Sequence, residues 1–357
     1  MVVTDFRWYF AHALGLLLGG AALLGCEPTF DDRNSEVLER RVLAVQVSPA
    51  QARPGADVTL SALVVEPSGT LRNFALDWAF CNAPKPIAET NDVSSACLEG
   101  SGEQFDELGR KAVVSGKLPK DGCRLFGPDV PPGMAGQPPG RPTDPDGTGS
   151  YYQPVRAIAP NKPQPVLALA QAGLLCGLPS LSGAQLLDYQ KRARNNEHPA
   201  ITSVLVNGDD STPLSIDDGV VAPVSVNSGQ RLSLRVTWPT CPSASACGDG
   251  ICGGDESAME CAEDCVMPKG CSGAETFVYY DPLSRKLVDR REALRVSWFA
   301  GSGSFEDDHT GRREDETESF SDGVWTAPKT VGLAHLWVVL RDNRGGVSWQ
   351  SYVVDVQ

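Results

Sequence analysis

The chain has 357 residues, of which 41% are hydrophobic, 21% charged and 7% aromatic, with 36 Gly and 27 Pro punctuating the backbone. That length accommodates two or three domains with real cores, and the hydrophobic fraction excludes a wholly disordered chain. Acidic residues outnumber basic ones 45 to 31, for a formal charge of −14. This argues against a nucleic-acid partner, because phosphate binding needs a basic face.

Residues 1–25 read as an export signal. A short leader with Asp5 and Arg7 precedes an apolar run from Trp8 to Gly25, broken only by His12. An uncleaved membrane helix and a plain secretory signal are rival readings, although the run is marginal in length for a span. The run ends in Leu23-Leu24-Gly25-Cys26, which resembles the lipobox of bacterial lipoproteins. In that family a peptidase cuts before the Cys and the thiol is then acylated. The resemblance implies that Cys26 is lipidated, with palmitate-type chains holding the protein to a membrane. It also implies export to the outer membrane or cell surface, since Glu27 rather than Asp follows. Residues 26–40, with Asp31, Asp32, Arg33, Asn34 and Ser35, then read as the lipidated Cys and a polar tether.

From Arg41 the pattern alternates. RVLAVQVSP, DVTLSALVVEP and FALDWAFC have period two and are separated by Pro-Gly and Pro-Ser-Gly, as short antiparallel strands require. Trp78 followed by Cys81 is similar to the pattern of an immunoglobulin-like sandwich, with other β-sandwiches as the open alternative. Residues 41–182 therefore form a first β domain. Within it, residues 126–149 hold seven Pro and six Gly and read as a long loop. YYQPVRAI and PVLALAQ return as strands. Residues 183–198 contain the one good helix signal, GAQLLDYQKRARN, with Leu186, Leu187 and Tyr189 toward one side and cations near its end. It is expected to pack on the first domain or bridge the two.

Residues 199–357 form a second β domain, carried by ITSVLVNG, QRLSLRVTW, ETFVYYDP, KLVDRREALRVSWF, LAHLWVVLRD and GVSWQSYVVDV. LRVTW and LRVSW are two similar strands, not a solenoid repeat. The ending WTAPKTVGLAHLWVVLRDNRGGVSW resembles the last strands of bacterial immunoglobulin-like or PKD-type domains. The expected fold class is thus all-β: two immunoglobulin-like β-sandwich domains, the second with a disulfide-rich insert, and one short helix between them.

Eleven Cys are present. With Cys26 assigned to lipid, ten remain in two even groups: Cys81, Cys97, Cys123 and Cys176, then Cys241, Cys247, Cys252, Cys261, Cys265 and Cys271. Even grouping is what an oxidised, exported protein shows, but four Cys allow three pairings and six allow fifteen, so partners stay open. The insert, residues 241–271, contains CGDGICGGDESAMECAEDC. This resembles a Cys-rich repeat of exported proteins from myxobacteria and related bacteria, and the whole layout resembles their surface lipoproteins. Three readings of the insert stand side by side. One is a plain disulfide knot. Another is a knot holding calcium through Asp249, Asp255, Glu256, Glu263 or Asp264, although no EF-hand spacing is present. The third is a zinc site, whose spacing is not the usual paired knuckle.

No nucleophile elbow, HExxH or phosphate-binding loop occurs. Three histidines remain beyond the signal, His198, His309 and His335, far apart in sequence, so no catalytic residue is assigned. An unrecognised hydrolase would need one of them beside a Ser or Asp in a pocket. The acidic stretch 306–318 reads as a solvated hairpin loop or a calcium site at Glu306, Asp307 and Asp308. Trp325, Trp337 and Trp349 are expected in core or cross-strand pairs, with an exposed sugar-binding platform as the alternative. The expectation is a non-catalytic envelope lipoprotein acting in adhesion, scaffolding or binding of a protein or glycan partner. A carbohydrate- or substrate-binding accessory protein and a secreted hydrolase are the alternatives.

Overall fold

The computed structural model describes residues 34–84, 93–99, 102–129, 147–160, 165–178, 181–242, 246–249, 252–254, 256–265 and 270–357. Cys26, the signal of 1–25, Asp255 and residues 130–146 of the Pro/Gly-rich loop lie outside them. The described chain is all-β, built as two immunoglobulin-like sandwiches with a disulfide-rich insert in the second.

The first sandwich begins with β1 (Arg41–Ser48), β2 (Gln51–Ala52), β3 (Asp57–Glu66), β4 (Gly69–Thr70) and β5 (Leu76–Cys81). It continues with β6 (Phe105–Lys111), β7 (Val113–Lys117), the one-turn helix α1 (Gly122–Leu125), β8 (Ser150–Ala159) and β9 (Val166–Leu175). One sheet runs β1-β3-β4, with β7 also on β3; the other runs β2-β9-β8-β5-β6. The chain changes sheets between β1, antiparallel to β3, and β2, parallel to β9. Alternation puts Val58, Leu60 and Val64 of β3 against Trp78, Phe80 and Val155 of the facing sheet.

Helix α2 (Gly183–Arg192) follows, opened by a capping box between Ser182 and Gln185. The expected apolar contact is absent: Leu187 is 70% exposed and no residue of α2 is buried. The helix bridges through polar groups instead. Tyr189 donates to the Thr148 carbonyl of the first sandwich, while Gln185 and Arg192 reach Arg285 and Asp289 of the second domain.

The second sandwich repeats the plan. One sheet contains β10 (Ser203–Val206), β13 (Arg231–Thr237), β19 (Phe320–Thr326) and β17 (Ser304–Phe305). The other runs β11 (Ser215–Ile216), β21 (Val347–Val356), β20 (Gly332–Asp342), β16 (Leu294–Ala300) and β18 (His309–Arg312), with β12 (Val224–Val226) parallel to β21. Its core holds Trp238, Trp298 and Trp325. Gly323 lies beneath Trp298, where a Cβ would come within 2.7 Å of the indole. The insert leaves β13 and returns as a hairpin arm, β14 (Thr276–Asp281) and β15 (Lys286–Arg291). The arm touches the first sandwich, with the Tyr280 amide donating to the Gly147 carbonyl.

The two sandwiches are stacked sheet on sheet. Leu43, Ala44, Leu63 and Val65 on the outer face of β1 and β3 meet Phe299, Trp337, Val339 and Val347 on the outer face of β16, β20 and β21. Sheets covered on both faces need apolar residues at successive positions, which LWVVL of β20 and ALVVE of β3 supply. Each fully buried side chain of this kind contributes about 1.5–3 kcal/mol. Polar groups fix the register across the seam: Trp337 Nε1 donates to Thr70 Oγ1, Gln46 to the Val347 carbonyl, and Arg341 to the Leu43 carbonyl. Gly301 is required here, since a Cβ would fall 2.3 Å from the Pro67 oxygen. Part of the expected tether belongs to this body. Ser35 and Val37 are buried; the Val37 amide donates to the Ala300 carbonyl, and the Ala300 amide donates to the Ser35 carbonyl.

Candidate functional site

The seam opens into a groove of about 730 Å³. Its walls are residues 42–45 of β1, residues 167–171 of β9, and Arg341, Asp342 and residues 345–347 at the β20–β21 turn; Leu98 and Val93 complete it. Consecutive residues of each strand line it, so main-chain edges form the walls rather than one side-chain face. Among the described residues, strand β1 pairs only with β3, and beyond β8 strand β9 pairs only at Gly173 and Leu174. The groove therefore presents two sheet edges with hydrogen-bonding capacity, flanked by the exposed Leu167 and the half-buried Leu169.

A second, polar concavity of about 340 Å³ is lined by Glu66, Ser68, Thr70, Arg72, Asp217, Asp218 and His335. His335 Nδ1 lies 3.3 Å from Asp217 Oδ2. Its ring stacks on Trp337 and covers Gly69, where a Cβ would come within 3.2 Å of it. His335 and Asp217 are close, but His335 Nδ1 makes no hydrogen bond, so the pairing an acid–base dyad needs is not formed. The neighbouring hydroxyls are engaged elsewhere: Thr70 with Ser351 and Trp337, and Ser68 with Glu66. The concavity offers no poised nucleophile.

Beside the groove, the extended link after α2 builds a polar joint. Asn196 is buried; its amide donates to Gln51 and its side chain to Asp342. His198 accepts from the Val347 amide at Nδ1 (3.1 Å) and sits 3.1 Å from the Val47 carbonyl at Nε2. Burial pushes its pKa down, against the pull of the Val47 carbonyl and of Asp342. Arg344, itself buried, pairs with buried Glu292 at 3.1 Å and donates to the Arg194 carbonyl. Burial pushes the Glu292 carboxyl up to about 9, helped by Asp342 and Glu275 and opposed by Arg344. Glu275 is raised by burial as well. Sequence reasoning missed this joint, because its members lie some 150 residues apart and several bond to backbone groups that carry no residue signature.

The ten described cysteines form five bridges: Cys81–Cys97, Cys123–Cys176, Cys241–Cys271, Cys247–Cys261 and Cys252–Cys265. The first two brace the first sandwich. Cys241–Cys271 closes the insert at its base, and the other two interleave inside it. Asp264 lies against Cys247 and Cys261, which share a bridge and so offer no thiolate to zinc. Of the calcium candidates, Asp264 accepts from the Gly248 and Asp249 amides and Glu256 accepts from the Gly253 amide, so both hold turns. Asp249 is exposed, and Asp255 lies outside the described residues.

The acidic stretch is not a loop throughout. His309–Arg312 forms β18 against β16, and Glu306 makes a two-pronged pair with Arg231 that holds its carboxyl below the usual range. Trp325 and Trp337 are fully buried and Trp349 packs against the seam, so these three form no exposed platform. Among the described residues, no helix is long and apolar enough to cross a membrane.

No protein-family model and no curated protein matches the chain. Among solved structures, it is similar to the fibronectin(III)-like modules of Clostridium thermocellum CbhA, at 9% identity over 88% of this chain and 94% of that one, with a TM-score of 0.20. A nucleoside hydrolase-related protein from Saccharophagus degradans shows 16% identity over 46% of this chain and 26% of that one, with a TM-score of 0.21. The Escherichia coli adhesin FdeC shows 10% identity over 90% of this chain and 65% of that one, with a TM-score of 0.18. Likenesses this distant carry no argument about what the chain does.

Proposed function

We propose that this chain is a non-catalytic, lipid-anchored envelope protein that binds or scaffolds an extracellular or envelope partner. The fate of the cysteines carries the reading. Ten are bridged, which supports an oxidising compartment, and the one further Cys closes a lipobox-like run. Acyl chains on Cys26 hold the protein to the membrane, and the stacked sandwiches present the groove at their seam. An open sheet edge takes an extended polypeptide more readily than a sugar, so a protein partner is favoured over a glycan. Calcium on the insert belongs to the same reading as a question of occupancy.

The test is the intact mass of the full-length protein taken from the membrane fraction of a Gram-negative host, with and without reductant and chelator. A chain starting at Cys26 with added acyl mass, and five bridges opened by reductant, is the expected result. Retention of residues 1–25, or ten free thiols, overturns it. A mass loss on chelation decides the calcium question.

A further inference from the structure

We propose that His198 is a pH-responsive latch between the two sandwiches, closed while its imidazole is neutral and released when Nδ1 takes a proton. The bonding pattern fixes the tautomer. The Val347 amide is a donor, so Nδ1 facing it at 3.1 Å carries the lone pair; the Val47 carbonyl is an acceptor, so Nε2 facing it at 3.1 Å carries the hydrogen. One neutral ring thereby joins β1 of the first sandwich to β21 of the second, from a link that belongs to neither sheet. A proton taken from water at Nδ1 occupies that lone pair, and two N–H groups then face each other. The Val47 bond survives and the Val347 bond does not.

The surroundings decide whether the ring accepts the proton. The link contributes Arg194 and Glu197. The β20–β21 turn contributes Arg341, Asp342 and Arg344, and the arm contributes Glu275 and Glu292. Strands β1 and β2 bring the uncharged Gln46 and Gln51, while Arg41 at the start of β1 is held on the Asn34 and Glu36 carbonyls. Asp342 favours the cation, but its oxygens already accept from the Arg344 and Gly346 amides and from Asn196. Arg344 opposes it. Because the folded site disfavours the cation, the latch holds at neutral pH and opens in acid.

Release does not separate the sandwiches, since the apolar seam remains. It releases only the Val347 amide, on a residue whose carbonyl stays tied to Gln46 at 2.6 Å and whose side chain helps wall the groove. Acid therefore loosens the groove wall contributed by the second sandwich.

The test is hydrogen exchange of the full-length protein between pH 7.5 and 5, corrected for intrinsic rates, on a peptide covering Val347 and on one covering β16. The expected result is that protection around Val347 falls by up to about tenfold per pH unit below the free-imidazole value of 6.5 and levels off once His198 is protonated, while β16 is unchanged. His198→Asn keeps an acceptor and a donor without titrating, and should flatten the profile. Protection that does not change with pH in the wild type, or the same loss in H198N, overturns the latch. If H198N does not fold, the ring ¹⁵N shifts of His198 in the wild type decide. A bare Nδ1 at neutral pH is required, and a protonated Nδ1 there overturns the proposal.

Discussion

The two sandwiches share a plan and differ in what holds them. The second places three tryptophans in its core and keeps all its bridges outside it, in the insert. The first has Trp78 as its one core tryptophan and two bridges of its own, Cys81–Cys97 beside β5 and Cys123–Cys176 between α1 and the end of β9. The last strand of each sandwich differs too. Strand β21 is covered on its outer edge by β11 and β12, whereas β9 is covered only at Gly173 and Leu174. Covalent cross-links appear where apolar packing is thinner and where a sheet edge is left open. This is the exchange of core for staple that small domains make.

The sharpest way to break this contrast is to remove the core of one sandwich and the staples of the other. Trp298→Ala should destabilise the second sandwich by about 3–5 kcal/mol, because the indole is fully buried and its Nε1 bonds Thr310. Chemical denaturation followed by tryptophan fluorescence measures it. Replacing Cys123 and Cys176 together by Ser should cost the first sandwich about 4 kcal/mol, from the chain entropy of a loop spanning 53 residues. The same change at Cys241 and Cys271 should leave both sandwich transitions in place and expose only the insert to protease. Equal losses from both double substitutions would erase the distinction between staple and appendage.

The joint offers a subtler test. The folded Glu292 carboxyl sits near 9 against an ordinary value of 4.5, so folding takes up a proton between those limits. Stability from this group is complete below pH 4.5 and is lost as pH rises toward 9, by at most ~1.4 kcal/mol per unit. His198 has the opposite sign: its folded pKa is lowered, so the unfolded chain binds the proton first and stability falls as pH drops below 6.5. Glu292→Gln should therefore remove the alkaline decline and leave the acidic one, as read from denaturant midpoints across pH. The smallest effect is expected at Arg295, which sits directly opposite Arg341 on neighbouring strands. Arg295→Ser should stabilise the second sandwich by a few tenths of a kcal/mol, seen as a small rise in Tm.

Much of this architecture is legible in the chain. Period-two alternation marks β13 and the first half of β3, because there one face meets a core and the other does not. Strands β6 and β7 are not legible. FDELGRK is charged because β6 is an edge strand with most residues exposed, and Gly109 and Gly116 interrupt its pattern and that of its neighbour. The run KLVDRREALRVSWF contains two strands, split at Glu292 and Ala293, because the arm ends where the sheet begins. The stacking of the sandwiches was present in the sequence as LWVVL and ALVVE, apolar at successive positions, but a short apolar run does not say what covers its second face. The even grouping of cysteines predicted bridges without their partners. His198 gave no signal at all, since its two partners are peptide groups.

The bridge between Cys241 and Cys271 has one more consequence, which concerns descent rather than stability. It brings the two ends of the insert together whatever lies between them, and Trp238 fastens the same base by donating to the Ser272 carbonyl. Lengthening a loop whose ends are already joined costs little entropy. The stretch inside the bridge is thus the part of this chain most open to replacement: a lineage can exchange its contents while β13 and β14 keep their places, and new surface arises on an old frame.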